Sequence, residues 1–342
     1  MPVSLNYVVK RTVWALLVII GVIVFSYIFL YLAPGDPAYI WAGRPRGANA
    51  TIAIMNARRE LGLDKPLPVQ ILLFIKNVFT GNMGVSIEYK QPVSVIIWRG
   101  LTATLELLII AYLIGVSLGV LLGIYSALKR NTRLDHGLQV LAITLANAPS
   151  FWLAIGLIVA LAYLTSFTGY GRVDTRLAIA TGFRPITGFY LLDSLIEGNI
   201  PVFIDVLLRI LPPAIIVATY PLGLGIRMAR ALIAETLGEE YVKAAIAWGV
   251  KRRTVIWRYA FKGTIPSLTQ VLGLAFAYSL VDAMIVEIVF GREGLGSLAY
   301  HIIGKSDFPL VIGLMITVTA FYIIVNTLAD ILQAMIDPRV RL

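Results

Sequence analysis

Long apolar runs alternate with charged interruptions along the whole chain. Six of these runs approach the roughly 20 residues that an α-helix needs to cross a bilayer core. They fall at about 12–33, 102–128, 137–164, 209–234, 266–290 and 309–336, with ends that hydropathy locates to within several residues. The pattern predicts an all-α polytopic membrane protein with six transmembrane helices. The fourth run carries Pro212, Pro213 and Pro221 as well as Arg227 and Arg230. Prolines are tolerated in such helices where neighbours satisfy the freed backbone groups. The first run follows Lys10-Arg11, as a secretory leader would. It is about 20 residues long against the 7–15 of a leader's apolar region, and no clear small-x-small site follows, so it is expected to be a retained helix.

The polar stretches are uneven. Residues 34–101 form the largest, with one predicted helix from Thr51 to Leu61 and a second from Pro68 to Phe79. In the first, Ile52, Ile54, Met55 and Leu61 oppose Arg58, Arg59 and Glu60. Gly81-Asn82 and Gly84 then supply turn chemistry. The expected organisation is an N-terminal tail and first helix at 1–33, an extracytoplasmic domain at 34–101, and a transmembrane core at 102–342 that includes a loop at 235–264. Residues 165–208 are expected to form irregular cover over the membrane mouth. Asn49-Ala50-Thr51 has the form of a glycosylation acceptor, a triplet that arises often by chance.

Basic residues set the orientation. With the N-terminus cytoplasmic, the inside segments 1–11, 128–136, 235–264 and 334–342 hold 13 Lys and Arg in 59 residues, against 13 in the 130 outside. That is the bias expected for a multi-pass protein of the cell membrane with both termini cytoplasmic. Lys129-Arg130-Asn131-Thr132-Arg133 and Arg339-Val340-Arg341 are the densest local signals.

Composition agrees with a membrane protein. The chain has 342 residues, 58% of them hydrophobic, and a mean hydropathy of +0.84, whereas soluble domains hold roughly 45–50% apolar residues. The net charge of +10 lies between apolar runs, which suits membrane topology better than nucleic-acid binding. With no cysteine and only His136 and His301, thiolate zinc sites and cysteine nucleophiles are excluded, and a histidine-rich metal site is not expected. No GxxxxGK[ST] phosphate loop occurs, and neither Gly223-x-Gly225 nor the cluster Gly291, Gly294 and Gly296 completes a dinucleotide fingerprint. The histidines lack the context of a catalytic triad. Asp282 and Asp330 lack the flexible glycine setting of a paired-aspartate protease.

The ionisable residues inside or near the apolar runs are Glu106, Arg227, Arg230, Asp282, Glu287 and Asp330. An Asp at the centre of a membrane helix costs about 2.5–3.5 kcal/mol on insertion scales. Such groups either line a water-filled pathway or form buried pairs and helix-end snorkels. Glu106, Asp282 and Glu287 are the candidate pathway residues. For Glu106 and Glu287, near helix ends, the paired structural role is favoured. Asp282 lies deeper, without a partner at i±3 or i±4, and both roles stay open for it.

One interruption has the character of a docking surface. Glu239 to Trp248 predicts a short helix with Ala244, Ala245 and Ile246 as its small face beside Tyr241 and Trp248, and Gly249 can take the left-handed conformation that ends it. Lys251 to Phe261 predicts a second short helix, ended by Gly263, with Pro266 opening the next span. Small alanines permit close approach to a partner's groove, and the flanking Lys and Arg suit an acidic or polar rim.

The stretch Glu240-Tyr241-Val242-Lys243-Ala244-Ala245-Ile246-Ala247-Trp248-Gly249 is similar to the "EAA" coupling loop of ABC importer permeases. Leu32-Ala33-Pro34-Gly35-Asp36-Pro37, Leu61-Gly62-Leu63-Asp64-Lys65-Pro66 and Pro149-Ser150-Phe151-Trp152 resemble the peptide/nickel permease branch of that family. So do Val286-Glu287-Ile288-Val289-Phe290 with Gly294-Leu295-Gly296, and the closing Asp337-Pro338-Arg339. The resemblance implies the six-helix type I importer fold and a first-type permease for dipeptides or oligopeptides, from a prokaryotic source, forming half of a translocation pathway. It further implies a heterodimer with a second permease, two ABC ATPase subunits that bind ATP and Mg, an extracytoplasmic substrate-binding protein, and no cofactor or catalytic residue in this chain. Glu240, Tyr241, Lys243, Ala244, Ala245 and Gly249 would then form the ATPase-coupling loop, with Lys243 standing where the general motif has glutamate, as in other peptide-type permeases. Relatives of this branch also carry oligosaccharides or metal chelates. A proton-coupled secondary transporter using Asp282 and Glu287 is the reading from another class, and would need internal repeats and broken helices.

Overall fold

The computed structural model describes residues 5–32, 35–165, 170–302, 305 and 307–336. Helix α1 (Leu5–Leu32) leads through α2 (Pro37–Trp41), α3 (Ala50–Leu61) and α4 (Leu67–Phe79) to the long α5 (Val93–Leu128). Then come α6 (Arg133–Asn147), α7 (Ser150–Leu164), α8 (Thr175–Thr181), α9 (Tyr190–Ile196) and α10 (Ile200–Thr236). The last third holds α11 (Glu240–Ala247), α12 (Arg252–Thr254), a π-helical turn (Val255–Phe261), α13 (Lys262–Val289), α14 (Leu295–Ile302) and α15 (Phe308–Ile336). Among the described residues there is no strand, only an isolated bridge between Val85 and Pro92. Ala33-Pro34, the closing motif at 337–339 and the basic tail at 339–341 lie outside the described residues.

Five helices are long and apolar enough to cross a membrane: Tyr7–Leu32, Val93–Leu128, Ile200–Thr236, Arg252–Val289 and Phe308–Met335. The sixth predicted run, 137–164, is not straight. Its two halves, α6 and α7, meet at a bend of 100°. Pro149 has no N–H to continue the ladder and pushes the preceding residue out of the helical region, and Ala148 is accordingly extended at ψ 133°.

Two further expectations change. Residues 93–101, assigned above to the outer domain, are the first turns of α5. The basic stretch after Gly249 is not a separate short helix closed by Gly263, because the chain stays helical from Arg252 to Val289 with Pro266 inside it. The π turn shifts hydrogen bonding to the i→i+5 pattern just before the proline, so the irregularity is absorbed without ending the helix. Gly263 serves close approach instead, since a Cβ there would sit 3.3 Å from the Tyr241 hydroxyl.

The predicted helices 51–61 and 68–79 appear as α3 and α4. Their core (Trp41, Ala57, Leu61, Phe74 and Val78) is continuous with Ile23, Tyr27 and Leu30 of α1 and Ile312 and Ile316 of α15. The Tyr27 hydroxyl donates to Gln70 of α4, so this layer is riveted to the membrane helices. Residues 170–199, expected to be irregular, contain α8 and α9. Asp174 caps α8 by accepting from the N–H groups of Arg176 and Leu177, at 2.8 and 3.1 Å.

The centre of the bundle is the contact between α5 and α10. Gly115, Gly119 and Gly123, spaced four apart, form a stripe along α5. A Cβ on each would lie 2.7 Å from the carbonyl oxygens of Ala218, Leu222 and Ile226 of α10, respectively. Four-residue spacing of small residues is how membrane helices bring backbones together. On α10, Gly223 repeats the device toward α6, where a Cβ would lie 2.4 Å from the Ala142 carbonyl oxygen. Gly119→Leu is expected to lower stability by about 1–3 kcal/mol or more, read as a fall in Tm of the purified protein in detergent. Gly137→Leu, where nothing lies within 4 Å of an added Cβ, is the control and should leave Tm unchanged; equal shifts would refute the seam.

Candidate functional site

Two regions gather the polar residues singled out above, one at each end of the bundle, with Asp282 between them. The first is the loop that joins α10 to α13. After α10, Glu239 begins α11 and Gly249, at φ +74°, ends it. The Val250 N–H reaches back to the Ala245 carbonyl at 3.1 Å and the Gly249 N–H to that of Ile246 at 2.9 Å. This pair of bonds is the Schellman closure, which needs a left-handed residue at the position Gly249 occupies.

Within α11, Val242 and Ala245 are buried and hold the helix down. Ala245 therefore does not share the outward face with Ala244 and Ile246, as the sequence pattern suggested. The outward residues are Glu240, Lys243, Ala244, Ile246, Ala247, Trp248 and Gly249, with Tyr241 half exposed above Gly263. Trp248 is 86% exposed. An indole presented this openly near Ile246, on a loop where Lys243, Lys251, Arg252 and Arg253 are also exposed, has the composition of an interface anchor with a polar rim. Beneath the loop, Asp135 of α6 is clamped by Arg230 of α10, Nη2 to Oδ2 at 2.8 Å and Nε to Oδ1 at 3.2 Å. The Ser126 hydroxyl adds a bond of 2.6 Å. Arg227 is exposed, and Asp330 pairs with Arg11 at 3.1 Å.

The second region lies at the other end and is buried. Glu106 of α5, 4% exposed, accepts from two arginines: Nη2 of Arg172 at 2.9 Å and Nη2 of Arg292 at 2.8 Å. Its other oxygen takes the Leu191 N–H at 2.8 Å. Arg172 also donates to the Gly188 carbonyl at 2.7 Å and stacks 3.6 Å above the Tyr190 ring. Glu287 of α13 is fully buried and accepts the Gly296 N–H at 2.8 Å. The Thr104 hydroxyl oxygen accepts from the Leu295 N–H at 2.9 Å. Burial, reinforced by the charge of Arg172 and opposed by Glu106 and Glu287, lowers the pKa of Arg292 to about 10. Two guanidinium groups and two carboxyl groups thus share one buried cluster. It ties the segment around 172–191 and the α13–α14 connection to α5.

Asp282 stands apart from both regions. It is half-buried, and the Ser150 hydroxyl at the start of α7 donates to it at 2.9 Å. That partner is 132 residues away, which is why no local spacing revealed it. Arg172 and Arg292 were also missed by sequence reasoning. The available signal was charge balance, since two glutamates in apolar surroundings require cations from the adjoining loops. Among the described residues no group of three or more His, Cys, Asp or Glu could hold a metal ion.

Comparison with known proteins follows this architecture along its length. Residues 119–342 match the family model for the binding-protein-dependent transport system inner membrane component, and residues 4–107 match the N-terminal model for membrane components of such systems. The chain is 39% identical over 336 residues to a probable D,D-dipeptide transport system permease protein of Escherichia coli (strain K12), covering 97% of each. It is 32% identical over 337 residues to the dipeptide transport system permease protein of the same strain, covering 98% of this chain and 99% of the relative. A di/tripeptide transport system permease protein of Pseudomonas aeruginosa (strain UCBPP-PA14) matches with the same identity and coverage.

The buried cluster generates a quantitative expectation. Glu106→Ala leaves two buried guanidinium groups without their shared anion, and removing one partner of a buried pair costs about 3–5 kcal/mol. Thermal unfolding of the purified protein should show that loss. The double variant Glu106→Ala with Arg292→Met should lose less than the sum of the single changes, and strict additivity would show that the two groups are not coupled.

Proposed function

The chain belongs to the binding-protein-dependent transport system inner membrane component family, and from that premise we propose that it is the permease subunit of an ATP-driven importer of short peptides. The names of its relatives supply the substrate class. On this reading the chain forms half of the translocation pathway beside a second, homologous permease. An extracytoplasmic binding protein delivers substrate, and two ATPase subunits, which bind ATP and Mg, dock on the inside. Both termini and the 236–262 side face the cytoplasm, in keeping with the density of Lys and Arg there.

The observation that carries the coupling role is the build of α11. It is closed at Gly249, pinned inward by Val242 and Ala245, and leaves Trp248 and Ile246 open within a basic rim. Because α11 sits between α10 and the continuous helix 252–289, a partner that grips its outward face pulls on two membrane helices at once. Ala244 and Ala247 keep that face low enough for a groove to close over it, while Glu240, Tyr241 and Lys243 fill the rest of the contact. Glu106 and Glu287 serve the fold rather than the passage, Glu106 holding the opposite end together through Arg172 and Arg292 and Glu287 through the Gly296 N–H. No residue of this chain performs chemistry on the substrate.

Gly249→Arg tests the coupling role. Nothing lies within 4 Å of a Cβ at this position, so the change acts through the left-handed backbone and through new bulk on the docking face. The expected result is a protein that inserts and assembles normally but gives no ATP-dependent peptide uptake in reconstituted vesicles; normal uptake would overturn the assignment. Trp248→Ala should weaken association with the ATPase subunits by about 2 kcal/mol or more, as for a central aromatic anchor, measured by titration of labelled ATPase onto the permease pair.

A further inference from the structure

The carboxylates within the long helices are almost all neutralised by this chain itself. Glu106 meets two arginines, Asp205 meets Arg209 at 2.9 Å, and Asp330 meets Arg11 at 3.1 Å. Glu287 is fully buried within electrostatic reach of Arg292 and Arg172. Asp282 is the exception among those away from helix ends. It lies seven residues before the last residue of α13, about 10 Å of helix at 1.5 Å per residue, and no ion pair to it forms among the described residues. Its bond from Ser150 orients the side chain without supplying a counter-charge.

The surroundings of Asp282 are left open on one side. One turn earlier on α13, Tyr278 is 58% exposed, and its ring meets that of Tyr322 on α15 edge-on at 6.1 Å. Next to Ser150, Phe151 and Trp152 are also exposed. A membrane carboxylate with no cation of its own, half open and adjoining aromatic rings, is suited to a cation that arrives from outside the chain. A hard metal ion needs six or more oxygen ligands for Ca, or near-octahedral geometry for Mg. One carboxylate and one hydroxyl do not provide that, whereas an organic ammonium needs only an anion and a ring face.

Resting on the peptide-import reading, we infer that Asp282, held in place by Ser150, is the contact for the protonated amino terminus of a short peptide as it crosses the membrane. Ser150, at the bend between α6 and α7, is then a positioning residue, and Tyr278 offers its ring face to the same ammonium. Passage through this half of the pathway would favour peptides with a free amino end.

The absence of cysteine from the chain allows a test on the assembled protein. Asp282→Cys is introduced into the complete importer, with partner subunits freed of cysteine, and reconstituted with the binding protein. Uptake of a dipeptide mixture is read by mass spectrometry. The variant is expected to transport at least tenfold more slowly than the parent while ATP hydrolysis remains stimulated by loaded binding protein. A sulfonatoethyl thiosulfonate reagent, which restores a negative charge after folding, should recover at least threefold in rate, and an aminoethyl reagent should recover none. Equal rates after the two reagents, or parental uptake by Asp282→Asn, would overturn the inference. If the parent complex itself imports no dipeptide under ATP, it is the peptide-import reading that fails, and the two failures are thereby distinguished.

Discussion

The architecture depends on the approach of two backbones where side chains have been removed. In a bilayer, lipid tails are as apolar as leucine, so helices gain little by hiding apolar surface from one another and associate through close packing and polar contacts. Gly115, Gly119 and Gly123 give α5 a smooth face on which the α10 carbonyls of Ala218, Leu222 and Ile226 rest directly. The prolines of α10 fit this arrangement, since Pro221 lies on the same seam against Gly115. Gly223 then brings α6 onto a neighbouring face of α10, and the Asp135–Arg230 clamp locks that position at the loop end. Without the seam, neither the α11 loop nor the bend at Pro149 would have a fixed frame.

Electrostatics completes what the glycine seam begins. The Glu106, Arg172, Arg292 and Glu287 cluster buries four ionisable side chains together, a costly arrangement for any charge left unmatched. Its value is in connectivity: it binds segments 66 and 186 residues distant in sequence to a single carboxylate on α5. Ser86 and Asp307 do the same for the layer containing α2 to α4, through a bond of 2.6 Å that spans 221 residues. Each end of the bundle is thus stitched by a few long-range polar bonds, and the apolar middle by shape.

Much of this was legible in the residue pattern, because apolar runs, a left-handed glycine and helix-capping residues are local signals. The long helices, α3, α4 and the closure of α11 at Gly249 follow from such signals. The glycine stripe of α5 was written with perfect period, yet inside a uniformly apolar run its partner helix could not be read. Pro149 marked the bend, but prolines elsewhere in the chain sit inside helices, so its effect depended on the packing around it. The buried arginines were hidden because their anions lie on other elements. The inward turn of Ala245 shows the same limit at short range, since a helix face acquires meaning only from the neighbour that covers it.

The continuous helix from Arg252 to Val289 has one more consequence. At 1.5 Å per residue its 38 residues extend roughly 57 Å, nearly twice the roughly 30 Å of bilayer hydrocarbon. Almost half of it therefore extends beyond the hydrocarbon core, and α11 leans on the extending part through Tyr241 and Gly263. A stiff rod held partway along its length is a lever with two arms. Tilting it about the edge of the hydrocarbon core moves the embedded arm, where Asp282 sits, in the direction opposite to a push at the loop, and through a larger distance than the push at Gly263.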